Sequence, residues 1–376
     1  MATMLPAKPP ASGRLADTLS GLYQRVVSPH PDQTRLHRVG VVVIDGLGSD
    51  LLVSRSGHAR FLSGRLREHG DIIHSGLPST TASALASITT GATPGEHGLL
   101  GYQVRDPLTG SVVNHLKAFP DGVQPESWQP MPTIFEQAAA HSIPSLAVGE
   151  SRFSGTDFSR SILRGAEFRG SSNLDSHLEL VREFFDSYDD AVAYLYWPAL
   201  DRIGHQLGVG HDNWIDALEV VDQFARSLHG LLAPGEAMVL TADHGMVDVV
   251  REDQVWWEAE HPLRSQIDVW AGEPRLVQLY LRSDVDADVF AQQSQEWLGE
   301  KATVLTRAQI VSRGLFGSVN AIHEGRIGDV VVFSEGSHAL YDSLTASENS
   351  AKMIGQHGSW TDTETSVPSI PLGKLA

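Results

Sequence analysis

The sequence predicts an α/β protein built around a mostly parallel central sheet. Short aliphatic runs bounded by glycine, such as VGVVVIDGLG at residues 39–48, are typical of strands that are buried on both faces, as in parallel sheets. A second run of this kind, at 237–241, leads into ADHGM. Because 376 residues exceed one ordinary core, we expect one large domain with an insertion, or two domains.

The periodicity of apolar residues gives the order of the elements. An N-terminal arm at residues 1–35 contains a short helix, with Leu15, Leu19, Leu22 and Val26 at helical spacing. Further strands are predicted at residues 71–77, 145–148 and 190–196. Further helices are predicted at residues 59–69, 133–140, 176–188 and 214–228, and another within 77–91.

A different pattern begins near residue 256. Strands at 275–282 and 303–305 and helices at 287–298 and 307–313 predict a small α+β subdomain inserted at residues 256–325. The insertion divides a core made of residues 36–255 and 326–376, and we expect the main sheet to resume at 329–334. We expect the insertion to cap the site and to influence substrate choice.

Charge and composition exclude several classes of partner. The formal net charge of -18 disfavours a nucleic-acid duplex or an anionic membrane as the main partner. The chain has no cysteine, so disulfides and thiolate zinc sites are excluded and His, Asp or Glu must hold any transition metal. The first thirty residues lack the apolar core of a signal peptide, and no stretch approaches a membrane span. We therefore expect a cytoplasmic protein and make no prediction of its oligomeric state.

Metal-binding side chains recur where predicted strands end. Asp45, Asp243 and His244 follow two such strands, although Asp45 is equally compatible with a helix N-cap or a turn. Asp201 and His205 are four residues apart and share one face of a helical turn. We expect one metal shell from Asp45, Asp243 and His244, and a second from Asp201, His205 and His357. Carboxylate and imidazole ligands suit zinc, and less specifically manganese or iron.

A hydroxyl-rich segment, LPSTTASALASITTG at residues 77–91, leads into an alanine-rich helix. Its hydroxyls therefore lie at the positive end of that helix, where anions bind well. A threonine or serine nucleophile could be activated there beside a metal ion without a neighbouring base. An ordinary Ser/Thr N-cap is the alternative interpretation.

These motifs together resemble the type I phosphodiesterase/nucleotide pyrophosphatase family of the alkaline phosphatase superfamily. The resemblance runs from VVVIDGLG through LPSTTASALASITTG, YWPALDRIGHQLG and TADHGM to GQHGS, and it covers nearly the whole chain. It implies an alkaline-phosphatase-like three-layer sandwich and a hydrolase with two divalent metal ions. It also implies that Thr81 is the nucleophile and a metal ligand, passing through a phosphothreonine intermediate, with Ser79 and Thr80 as second choices.

Two departures from the family pattern concern the substrate. Nucleotide-cleaving members carry Pro-Asn-His after the nucleophile, whereas residues 82–84 are Ala-Ser-Ala. The asparagine that holds a phosphate oxygen is replaced near Gly101 and Tyr102. The Tyr102 hydroxyl, or an arginine from Arg152 onward, would have to bind that oxygen. Tyr196 and Trp197 are further candidates, for stacking on a ring of the substrate.

The expected substrate is a small phosphate ester, with a nucleotide as one possibility. The same metal pair could instead serve a phosphomonoesterase or a phosphonate hydrolase. A sulfatase is disfavoured because its arginine-containing motif is missing, and a phosphoglycerate mutase is a distant alternative. A non-catalytic metal or phosphate binder that kept the fold is the alternative from another class.

Overall fold

A computed structural model describes residues 13–119 and 122–373. The strands are β1 (Arg38–Ile44), β2 (Asp71–His74), β3 (Gln103–Arg105), β4 (Val112–Asn114), β5 (Ser145–Glu150), β6 (Glu167–Ser171), β7 (Ala191–Trp197), β8 (Glu236–Thr241), β9 (Val247–Asp248), β10 (Gln254–Trp257), β11 (Ile267–Glu273), β12 (Leu276–Leu281), β13 (Ala302–Thr306), β14 (Val330–Ser334), β15 (Ala339–Asp342), β16 (Gly355–Gln356) and β17 (Ser366–Gly373).

The α-helices lie between these strands. They are α1 (Asp17–Val27), α2 (Ser49–Ser54), α3 (Arg60–His69), α4 (Thr81–Thr90), α5 (Pro94–His97), α6 (Pro125–Trp128), α7 (Ile134–Ala140), α8 (Asp157–Ile162), α9 (Leu174–Ser187), α10 (Ala199–Leu207), α11 (Asp212–Leu231), α12 (Ala287–Leu298), α13 (Arg307–Arg313), α14 (Ala321–Glu324), α15 (Glu348–Lys352) and α16 (Asp362–Thr365). None of the helices in the described ranges combines the length and apolarity that crossing a bilayer requires.

A seven-stranded sheet forms the centre of the molecule, in the order β2-β17-β8-β1-β7-β5-β6. The strands from β8 to β6 pair in parallel, and β17 pairs antiparallel with both β8 and β2. In β1, every residue after Arg38 is buried, as expected for a central strand covered on both faces. The prediction of an α/β fold with a mostly parallel central sheet is confirmed.

A second, antiparallel sheet has the order β11-β12-β14-β13. It has its own apolar core, in which Phe290 of α12 packs with Val304 and Val332. The prediction that the main sheet resumes at residues 329–334 is wrong, because β14 lies between β12 and β13 in this second sheet. An aliphatic run indicates only that a strand is buried on both faces. Strands of either sheet meet this condition, so the pattern does not tell which sheet a strand joins.

The N-terminal arm packs on the core through the helix that the sequence predicts. Leu19, Leu22 and Val26 of α1 are buried, and Leu15 just before it is fully buried. The first twelve residues of the predicted arm lie outside the described ranges. The bounds of the predicted domains stay a prediction.

Three adjacent strands at the middle of the large sheet determine where the functional side chains lie. The central strand β1 lies between β7 and β8 and runs parallel to both. Their carboxyl ends therefore meet at one edge, where ligands collect in open α/β sheets. Asp45 follows β1, Asp243 and His244 follow β8, and the helix α10 follows β7.

Candidate functional site

The loops after β1 and β8 approach each other closely at this edge. The backbone N–H of Gly46 donates to Asp243 Oδ1 at 3.2 Å, and the N–H of Asp45 donates to the Trp197 carbonyl at 3.0 Å. Gly46 has a φ of +77°, and a Cβ there would lie 3.1 Å from the Asp201 backbone. Glycine therefore permits both the turn and the approach of α10 to Asp45.

The first cluster consists of Asp45, Asp243 and His244, all fully or almost fully buried. His244 Nε2 lies 3.4 Å from Asp45 Oδ1 and 3.5 Å from Asp243 Oδ2. Thr81 Oγ1 lies 3.2 Å from the same nitrogen. The four side chains thus face one small volume, and their role as one metal shell stays a prediction.

The second cluster consists of Asp201, His205 and His357. Asp201 Oδ1 lies 3.3 Å from His205 Nε2 and 3.7 Å from His357 Nε2. The rings of His244 and His357 stack with their centroids 3.6 Å apart, so the two clusters adjoin. Potential ligand atoms of Asp201, His244 and His357 also lie within 4.8 Å of one another.

Backbone carbonyls fix the orientation of all three imidazoles. The Nδ1 atoms of His205, His244 and His357 lie 2.6, 3.0 and 3.0 Å from the carbonyls of Gly355, Gly245 and Ser79, respectively. A carbonyl only accepts, so each Nδ1 carries the proton and each Nε2 presents its lone pair to the carboxylates. This is the tautomer and the orienting contact that metal-bound histidines typically have.

The carboxylates lack the partners that buried charges require. Asp45 Oδ1, Asp201 Oδ1 and Asp243 Oδ2 are buried and have no hydrogen-bond partner in the described parts of the chain. Burial, and then the carboxylates of Asp243 and Asp201, raise the pKa of Asp45 well above its ordinary value. A buried group of acids normally pairs with cations or coordinates metal. The donor set of oxygen and imidazole nitrogen therefore fits divalent transition metals.

Thr81 is the first residue of α4, whose residues are all buried. Its neighbour Ser79, a second choice for the nucleophile, is engaged elsewhere. The Ser79 hydroxyl donates to the Ser359 carbonyl, and the N–H of Gly358 donates back to it at 3.2 Å. Ser79 thus holds the loop that carries His357. Thr80, the other second choice, is the N-cap residue of α4 but makes no side-chain capping bond, and it lines the same cleft as Thr81.

A cleft of about 1140 Å³ opens beside the two clusters, and Thr81, Asp201, His205 and His357 line it. Tyr102 also lines the cleft, as expected for a substrate contact. The other three predicted substrate contacts are not among its lining residues. The predicted contacts stay predictions.

Each of those three residues has another partner. The exposed Arg152 pairs with Glu150 at 2.6 Å, the Tyr196 hydroxyl donates to Asp45 Oδ2, and the Trp197 ring packs edge-on against His177. Tyr196 thus contacts a predicted metal ligand instead of the cleft. Burial raises the pKa of Tyr196 well above its ordinary value, which keeps its hydroxyl a donor.

Two features of the site were missed by the sequence prediction. Glu273, at the end of β11, lines the cleft close to His357. Arg275 and Glu364 form a fully buried bidentate ion pair, with N–O distances of 2.7 and 2.8 Å. Glu364 also accepts from the N–H of Ser359, and its carbonyl accepts from the N–H of Gly245. The pair therefore joins the loops that carry His244 and His357, but neither charge stands out in the sequence.

The fold places the chain in the alkaline-phosphatase-like class of α/β proteins. More narrowly, the chain belongs to the type I phosphodiesterase / nucleotide pyrophosphatase family, whose model matches residues 39–360. The resemblance found in the sequence motifs is confirmed. Membership supports the hydrolysis of phosphoric esters as the general activity. No curated protein matches the sequence.

Solved structures of two kinds share the fold. Murine ectonucleotide pyrophosphatase / phosphodiesterase 5 has a TM-score of 0.68 at 16% identity, covering 89% of this chain and 88% of that chain. An inactive form of that murine protein, in complex with AMP, matches with the same score and identity, over 90% and 88%. Phosphonoacetate hydrolase from Sinorhizobium meliloti, in complex with phosphonoacetate, has a TM-score of 0.67 at 21% identity, covering 90% of each chain.

Proposed function

We propose that the protein is a two-metal phosphoric ester hydrolase of the phosphodiesterase type, with Thr81 as the nucleophile. The observation that carries the proposal is the position of Thr81 Oγ1, 3.2 Å from His244 Nε2 and beside the carboxylates of the first cluster. Asp45, Thr81, Asp243 and His244 would hold one divalent ion, and Asp201, His205 and His357 the other. Zinc is the first choice, with manganese and iron as alternatives.

Held by these residues, two such cations would supply a lower pKa for the Thr81 hydroxyl and would neutralise charge on the attacking and leaving oxygens. Thr81 Oγ1 would release its proton to solvent and form a bond to phosphorus as the bond to the ester oxygen breaks, and the departing alkoxide would take up a proton from solvent. Water subsequently cleaves the phosphothreonine and restores the Thr81 hydroxyl. The N-terminus of α4 favours the negative charge that the phosphoryl group brings to Thr81.

Phosphonate hydrolysis is the second candidate. The likeness to phosphonoacetate hydrolase indicates that a fold of this kind can accommodate phosphonate hydrolysis. The cleft of about 1140 Å³ exceeds the usual size of a small-molecule site. A substrate with a larger organic group would fill more of that cleft, so we place the phosphoric ester first.

The purified chain should hydrolyse a 4-nitrophenyl phosphodiester in the presence of zinc or manganese. Rates with the diester, the monoester 4-nitrophenyl phosphate and phosphonoacetate would rank the candidate reactions. A chelator should abolish turnover, and added metal should restore it. Metal at a hundred times its Kd should also stabilise the fold by about 2.7 kcal/mol, measured as a higher unfolding midpoint. Tight metal binding without turnover of any of the three compounds would favour the non-catalytic binder.

Tyr196→Phe should weaken metal binding without changing the shape or volume of the cleft. The hydroxyl donates to Asp45 Oδ2 and orients that carboxylate, and losing such a contact typically costs about 10- to 100-fold in metal affinity. Competition with a chromogenic chelator measures the change. Tyr188→Phe, on an exposed tyrosine, is the matched control and should leave the affinity unchanged. Equal affinities in all three proteins would show that the Tyr196 contact does not support the metal site.

A further inference from the structure

Glu273 places a carboxylate in the wall of the cleft without a cationic partner. The residue ends β11, and its side chain is 8% exposed. Its Oε1 is buried and makes no hydrogen bond within the described ranges. The side chain lies beside Thr80, which also lines the cleft.

The neighbouring basic groups are already engaged. Within 4 Å of the Glu273 carboxylate, among the described residues, the only basic group is His357, with its Nδ1 at 3.8 Å from Oε2. That nitrogen donates its proton to the Ser79 carbonyl. Arg275, two positions along the chain, is held by Glu364. Buried carboxylates are normally paired, so the missing cation points to a ligand.

The other acidic residues that line the cleft have a partner or a proposed role, and Glu273 does not. Asp201 belongs to the proposed metal shell, and Asp342 is held by Arg264 through two hydrogen bonds. Lys352 pairs with Glu348 at 3.3 Å, and Lys117 also lines the cleft. Glu273 is therefore the acidic group in the cleft wall that neither the proposed metals nor an arginine accounts for.

We propose that Glu273 determines substrate specificity by binding an ammonium group on the organic substituent of the phosphoric ester. The inference rests on the proposed function, because Glu273 adjoins Thr80 and His357 and so lies beside the proposed reaction centre. Trp270, on the same strand, and Tyr102 also line the cleft. Aromatic faces attract organic cations and would complement the carboxylate. A substrate with its own carboxylate, such as phosphonoacetate, is disfavoured because like charges repel at this position.

Three 4-nitrophenyl phosphodiesters test the inference, with 2-aminoethyl, propyl or 2-carboxyethyl as the second ester group. The wild-type protein, loaded with zinc or manganese, should prefer the aminoethyl over the propyl diester in kcat/KM by about 10- to 100-fold, as expected for a charge-assisted hydrogen bond. In Glu273→Gln this ratio should fall close to one. The ratio is the readout because damage to the metal site lowers both rates together.

Glu348→Gln is the matched control, since it removes the same charge from an exposed residue near the cleft and should leave the ratio unchanged. A wild-type ratio near one, a ratio that survives Glu273→Gln, or a preference for the carboxyethyl diester would overturn the inference. If no diester is hydrolysed, the proposed function fails, and binding then tests Glu273 separately. Calorimetry should show tighter binding of 2-aminoethylphosphonate than of propylphosphonate, and equal affinities would overturn the role of Glu273.

Discussion

Thr81→Ala should lower turnover of phosphoric esters by about 10⁴-fold or more, the scale of loss when an enzyme's nucleophile is removed. The substitution removes Oγ1 and leaves the first turn of α4 with a good helix former. Thr81 is itself a proposed ligand, but Asp45, Asp243 and His244 still supply three ligands to the first ion, so metal content should change little. Steady-state kinetics together with metal analysis measure both quantities on one preparation.

Thr90→Ala is the matched control on the same helix. Its hydroxyl donates to the Ala86 carbonyl at 2.7 Å, and it ends the helix that Thr81 begins, about 13 Å away at the usual helical rise, so activity should be retained. Quenching the wild-type reaction and mapping the peptides should locate a phosphoryl group on Thr81. Substantial activity in Thr81→Ala, combined with its loss in Ser79→Ala or Thr80→Ala, would assign the nucleophile to another hydroxyl.

Arg275→Met should destabilise the fold by about 3–5 kcal/mol, the usual cost of removing one partner from a buried ion pair. Both side chains of the Arg275–Glu364 pair are fully buried, so the Glu364 carboxylate would lose its counter-charge without gaining water. Arg275 also donates to the His338 carbonyl at 2.6 Å, and that carbonyl would lose its donor. Chemical denaturation monitored by tryptophan fluorescence measures the change in unfolding free energy.

The same substitution should also affect the site, because Glu364 joins the loops that carry His244 and His357. Arg282→Met is the control, since its pair with Asp284 is exposed and such pairs contribute about 1 kcal/mol or less. Arg275→Met/Glu364→Met should regain part of the lost stability because no unpaired charge remains. A loss in Arg275→Met no larger than in Arg282→Met would show that the buried pair contributes little.

The sequence predicts the sheet edge better than it predicts the second sheet. Asp45 and Asp243 follow aliphatic strands that are buried on both faces, and such strands are visible in the sequence as short apolar runs. Parallel strands bring their carboxyl ends together. The apolar runs in the sequence are therefore sufficient to predict that the residues following them lie near one another. For β14 the same type of run is present, but its pairing partners are set by topology, which periodicity does not encode.

The burial of Glu273 and Arg275 could not be predicted from the sequence either. Each is a charged residue in an acidic chain, and a charged residue is most often solvated. Their burial arises because the turn between β11 and β12 is placed against the loop after β16, a contact between distant segments. The position of His357 beside Asp201 and His205, by contrast, agrees with the sequence motif GQHGS, and its role as a metal ligand stays a prediction.

The position of β17 has a consequence for how the molecule reaches its native state. Ile73 of β2 pairs with Val367 of β17, and β17 also covers the outer edge of β8, so segments that are far apart in the sequence must meet. Pairings of such high contact order form slowly and leave hydrophobic strand edges open in the meantime. A nascent chain therefore completes its sheet only after the residues of β17 have been synthesised. We expect production at low temperature or with chaperones to increase the yield of native protein.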